Sequence, residues 1–310
     1  MRQFYVIWLG QLLSSIGSGM TAFILSVYLF QRTNEASSVA MVILASFLPS
    51  VLLKPLGGVL ADRYNRKNMM VIGDFGAAIG VLSVMVFLHF APSVYWLIYF
   101  GVALSSVFAS LHNPAYKALI TDLLSADQFT KASGLMQLAA ASQYLISPVI
   151  AGLLLALVEV EYVLLLDALT FFAAILTVMA TGTVLQNVNS TQNDWDLFIE
   201  LRVGWRALAA QSEVLLLVGV VTLVTFCIGF LHVLLGPVVL SFSDEKTLGV
   251  MQSVSALGML AGSLYIGSLG KIKKYSVVLF VSLALSGAFF SLTGVTTNVY
   301  FIVAASFLFF

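Results

Sequence analysis

The chain has 310 residues, of which 60% are hydrophobic and 9% charged, against roughly 25% charged residues in a soluble globular domain. That much apolar side chain excludes a water-soluble fold of this length, and lipid is the expected solvent for most of it. The formal net charge is zero and Cys227 is the single cysteine, so no nucleic-acid partner and no intrachain disulfide is expected.

The N-terminus carries Arg2 and then an apolar stretch that runs to Phe30 without a small-residue cleavage site, the pattern of a retained first span rather than a removed signal. Crossing about 30 Å of hydrocarbon takes roughly 20 helical residues. Stretches of that length lie at 5–30, 38–60, 69–90, 93–119, 132–157, 162–184, 213–241, 247–269 and 276–296. A tenth begins near Asn298 and reaches only Phe310, about 20 Å of helix, so the chain is expected to end inside the membrane. The fold class expected is an all-α membrane protein of about nine and a half spans.

Lys and Arg set the orientation. Arg2, then Arg63, Arg66 and Lys67, then Lys117 and Lys131, then Arg202 and Arg206, then Lys271, Lys273 and Lys274 fall on alternate connections, while the opposite set holds Arg32 and Lys246. A multi-pass protein of the cell membrane with a cytoplasmic N-terminus is predicted.

The longest polar interval, 186–212, opens with QNVNSTQND and continues with Trp195, Phe198, Leu201, Trp205 and Leu208 at helical spacing. It reads as a linker with a helix lying along the interface or, alternatively, solvated. It divides the chain into a six-span half over 1–184, a linker over 185–212 and a partial second half over 213–310. An offset of 205 positions lays GGVLADRYNRK (57–67) over GSLYIGSLGKI (262–272) without a gap, as expected of a parallel repeat of two bundles. On that offset a whole second half needs about 80 further residues.

The stretch GVLADRYNRK at 58–67 resembles the loop signature of the major facilitator superfamily, with Asn65 where the pattern has glycine. Asparagine tolerates a left-handed backbone, so a tight turn is expected to survive there. FYVIWLGQLLSSIGS (4–18), HNPA (112–115), LSADQFTKASG (124–134) and YLISPVIAGLL (144–154) are similar to the macrolide-efflux-like branch of the third drug:proton antiporter family. The resemblance implies a secondary transporter that exports amphipathic small molecules in exchange for protons, works as a monomer, and needs no cofactor beyond the proton gradient. A protein that does not transport is the alternative.

Gly58, Asp62, Arg63, Arg66 and Lys67 form the expected gating loop. Asp62, at the end of span two, can accept hydrogen bonds from a neighbouring helix N-terminus in one orientation of the halves and lose them in the other; the cations also serve as a topology signal. Asp122 is the expected partner of Arg66.

Ionisable groups within the spans cost at least about 2.5–3.5 kcal/mol each, which makes Asp167, Asp74 and Lys54 candidates for proton or substrate contact. Asp167 matches the family's acidic position near the far end of span six; Asp74 is expected to make a structural salt bridge or hydrogen bond; Lys54 is expected to snorkel. Ser147, Pro148, Ala151 and Gly152 in ISPVIAG resemble the antiporter motif of span five, with a kink at Pro148 and close helix packing implied. Ser105 stands where many proton-coupled relatives carry a mid-span arginine. No metal site is expected, since His89, His112 and His232 lack ligand spacing, and catalysis is not expected either.

Overall fold

A computed structural model describes residues 1–181, 206, 209–268, 275–293 and 298–309. The interfacial-helix segment from Trp195 to Trp205, the cations Lys271, Lys273 and Lys274, and the end of the repeat at 269–272 lie outside the described residues. Among the described residues every element is a helix: α1 (Arg2–Thr33), α2 (Ala36–Arg63), α3 (Arg66–Phe90), α4 (Tyr95–Leu123), α5 (Ala126–Leu145), α6 (Ser147–Leu155), α7 (Val160–Ala180), α8 (Ser212–Leu240), α9 (Glu245–Ser268), α10 (Tyr275–Thr293) and α11 (Val299–Phe309). Seven described spans are long and apolar enough to cross a membrane, the fifth of them running from Lys131 through the α5–α6 break to Leu155.

Lipid offers the backbone no hydrogen bonds, so each apolar run closes its own as a helix, and polar residues mark the ends. Asn34 ends α1 in the left-handed conformation (φ 54°) and returns its N–H to the Phe30 carbonyl, a role asparagine fills better than most residues with a Cβ. Asp244 opens α9 by accepting from the Thr247 backbone N–H at 3.0 Å.

Two apolar cores hold α1 to α5 and α7 together. One, near the end that carries Arg2 and Arg66, gathers Phe4, Ile7, Met70, Leu119 and Ile120; the other gathers Leu25, Leu29, Ala78, Val81, Ile98 and Leu164. Small residues let these helices approach closely. At Gly57 of α2 a Cβ would strike the Ser110 carbonyl of α4, which Pro114, four residues on, leaves without its usual helical donor. Nearby, the Ser106 hydroxyl of α4 donates to the Ser46 carbonyl at 2.5 Å and accepts from the Ser50 N–H at 3.2 Å. It thus stands inside the hydrogen-bond ladder of α2, beside Pro49.

A third core joins this bundle to the later helices. Met20, Phe23, Ile24 and Val27 of α1, Ala151 of α6 and Val163 of α7 meet Val239, Leu248, Met251 and Ile302. Each of these lies toward the end of its helix that is remote from Arg63, Arg66 and Lys67. The seam is therefore at one end of the molecule.

Candidate functional site

The turn between α2 and α3 does not use a left-handed residue. Asn65 is extended (φ −61°, ψ 115°), and its side chain accepts from the Lys67 and Asn68 backbone N–H groups, so it caps α3 where a left-handed turn was expected. Capping by asparagine satisfies donors that a glycine would leave to water.

Arg66 is half-buried and donates from Nε to the Ala61 carbonyl at 3.3 Å and from Nη1 to the Ala118 carbonyl at 3.1 Å. The same Nη1 pairs with the Asp122 carboxylate, the partnership expected from the sequence. One guanidinium thereby ties the last turn of α2 to the end of α4, which suits the five-donor fork of arginine. Asp62 stands 4.0 Å from Arg66 with its side chain 79% exposed, free to meet another donor. Lys67 donates to the Thr181 carbonyl at 2.5 Å, closing the C-terminus of α7. Arg63 is exposed, and a Cβ at Gly58 would meet open space. The glycine that packing demands is its neighbour Gly57, which the loop signature alone does not single out.

The two deep carboxylates stay apart, each with its own partners. Asp167 is fully buried between α7 and α1; Thr21 donates to it at 2.6 Å and Thr170 at 3.4 Å, and Gly17 leaves room for its Oδ1. Hydroxyls surround it and no cation pairs with it among the described residues. Asp74, 3% exposed, takes the Gln11 amide at 3.4 Å and lies 3.6 Å from His112 Nε2. His112 is thus a functional candidate that spacing did not reveal, because its partner is on another helix. Lys54 is exposed on α2.

Span five breaks at Ile146, where α5 stops and Pro148 opens α6. Ser147 is buried and donates to the Ile16 carbonyl of α1 at 2.8 Å. On the opposite side, α9 crosses so closely that a Cβ at Gly249 would strike the Pro148 carbonyl, and one at Gly152 would stand 2.9 Å from the Glu245 carbonyl. Gln31 at the end of α1 hydrogen-bonds the Glu245 carboxylate. Ser147, Pro148, Ala151 and Gly152 are therefore brought together in the seam. No group of three ligating side chains that would hold a metal ion occurs among the described residues.

Comparison with known proteins follows the same lines. Macrolide efflux protein A of Streptococcus pyogenes is 27% identical over 296 residues, which cover 94% of this chain and 73% of that protein. The multi-drug resistance efflux pump PmrA of Streptococcus pneumoniae is 29% identical over 178 residues, 56% of this chain and 43% of the pump. Among solved structures, a D-xylose-proton symporter shares the fold at TM-score 0.67 and 14% identity, covering 99% of this chain and 78% of the symporter. A bacterial homologue of the iron transporter ferroportin in an inward-facing state does so at TM-score 0.64 and 17% identity, covering 99% and 80%. The family model described as Major Facilitator Superfamily matches residues 7–310, and with apolar helices throughout and no strand among the described residues, the chain belongs to the Major Facilitator Superfamily of membrane transporters.

Proposed function

We propose that the protein is an exporter of the cell membrane that carries amphipathic small molecules, macrolide-like drugs among them, out of the cell in exchange for protons. The one-sided seam carries this reading. Met20, Ile24, Ala151, Leu248 and Met251 are sealed at the end remote from the basic loops, whereas Asp62 at the basic end is exposed. With the basic loops and the N-terminus in the cytosol, as the distribution of Lys and Arg favours, such a molecule is shut to the outside and ready to load from within. The relatives named for macrolide and multidrug efflux support the substrate class.

In the opposite orientation, Asp62 accepts hydrogen bonds from a helix N-terminus of the second bundle and latches the cytoplasmic end, while Arg66 and Asp122 keep α2 and α4 moving as one body. Rocking of this kind needs the two bundles and no further subunit, and the reading takes the protein as a monomer.

Inside-out vesicles holding the full-length protein test the reading across a panel of macrolides and lipophilic cationic dyes. Uptake of at least one compound, stimulated by a proton gradient and lost in Asp62→Asn, is the expected result. Absence of gradient-dependent uptake for every compound would sink it.

A further inference from the structure

Asp74 and His112 reach one point from different helices. They lie about 8 Å and about 10 Å inside the ends of their apolar runs, at Met69 and Leu119, that face the basic loops, roughly a quarter to a third of the way through about 30 Å of hydrocarbon. His112 is 7% exposed, and its Nε2 has no hydrogen-bond partner; 3.6 Å away is Asp74 Oδ1. From α1 the Gln11 amide faces the carboxylate, and on α4 itself the Tyr116 ring stacks on the imidazole with centroids 5.8 Å apart. Among the described residues no Lys or Arg pairs with Asp74, whose ionisable partner is His112, so the charge of the pair must balance internally.

We infer that Asp74 and His112 form a binding site for a single exchangeable proton, held as an imidazolium–carboxylate pair. Without that proton, a neutral imidazole beside an ionised carboxylate leaves one uncompensated charge in a low-dielectric interior, which is expensive. One added proton on Nε2 makes the site neutral overall and supplies the donor that the 3.6 Å approach lacks. A second would leave a lone imidazolium, with the same penalty. Release becomes favourable when water or the cationic group of a substrate reaches the carboxylate, so one monovalent cation displaces one proton. As the coupling point of the exporter this rests on the proton-exchange reading above; as a proton site it stands on the geometry.

The Tyr116 phenol belongs to the same cluster and is buried without a partner. Its ring stacks on the imidazole and its hydroxyl bonds neither member of the pair. Tyr116→Phe serves as a packing control.

The test is histidine NMR on the full-length protein in lipid nanodiscs, with His89→Gln and His232→Gln leaving His112 as the observed ring among the three histidines of this sequence. At neutral pH the ring-nitrogen shifts of His112 are expected to be those of an imidazole protonated on both nitrogens, and those of Asp74→Asn to be those of a neutral ring. Asp74→Glu keeps the carboxylate and Tyr116→Phe keeps the packing; both are expected to leave the doubly protonated signature of the parent. A neutral His112 ring in the parent, or a signature that Asp74→Asn and Asp74→Glu change alike, overturns the site. Should Asp74→Asn fail to fold, a neutral parent ring still overturns it, and a doubly protonated ring retained in Asp74→Glu supports it. The vesicle measurement reports separately on proton exchange, so that reading can fail while the NMR result stands.

Discussion

Arg66 bonds the ends of two neighbouring helices, and its replacement separates geometry from charge. Two carbonyls and the Asp122 carboxylate take its donors, and hydrogen bonds of charged groups contribute about 1.5–3 kcal/mol each. Arg66→Lys keeps the charge and loses the fork, so it is expected to lower the melting temperature in detergent nearly as far as Arg66→Ala; a lysine variant as stable as the parent would show that charge alone suffices. At the neighbouring cap, Asn65→Ala is expected to cost about 1 kcal/mol and Asn65→Gly only a few tenths, measured by the same melts. The sequence revealed that the loop exists and that Arg66 meets Asp122. It concealed how Asn65 works, because asparagine serves both left-handed turns and N-caps, and only the backbone angle distinguishes them. Asp244, in the connection before α9, has its carboxyl held below the usual range by hydrogen bonds from the Thr247 side chain and backbone. A depressed folded-state value means that the cap contributes above the unfolded value, near pH 4, and is lost as pH falls through the folded one. Asp244→Ala is thus expected to destabilise at pH 7, with an effect that shrinks as the pH falls below the ordinary carboxylate range.

At the scale of helices, the crossing of α6 and α9 is set by what is missing from Gly249 and Gly152. A Cβ at position 249 meets the Pro148 carbonyl, and backbone cannot step aside as a flexible side chain can. Gly249→Val is expected to force the seam apart at a cost of about 1–3 kcal/mol. Such a cost shifts a two-state equilibrium about 5–150-fold. The shift is checked on a Cys227→Ser background carrying Ala151→Cys, by the rate of labelling with a membrane-impermeant thiol reagent; unchanged labelling would mean that the crossing does not govern opening. The proline and small residues of ISPVIAG announced a break and a close contact, and both occur. The partner helix was not legible, since nothing in a stretch of small residues states which backbone it admits. Asp167 shows the same limit: its depth followed from counting residues, but its wrapping by Thr21 and Thr170 depends on how α1 and α7 pack. Asp167→Ala strips the buried Thr21 hydroxyl of its acceptor, whereas Thr170 keeps the backbone carbonyl of residue 167 at 2.7 Å, and it is expected to lower stability more than Asp167→Asn, which retains an acceptor for Thr21.

For the whole molecule, hydropathy gave the all-helical class and the order of the apolar helices described, because lipid enforces a simple rule on the backbone. Hydropathy says nothing about which end of the bundle is closed, and that depended on where Met20, Leu248 and Met251 gather. Beside this large-scale asymmetry stands a small one in α2, where the Ser106 hydroxyl bonds both the Ser50 N–H and the Ser46 carbonyl. Those two backbone groups are each other's ordinary helical partners, so deleting the hydroxyl orphans neither of them. Ser106→Ala should instead leave them to each other, at little cost in stability. A turn that can borrow a neighbour's hydroxyl has a second way to satisfy its amide, and need never expose that amide bare to lipid.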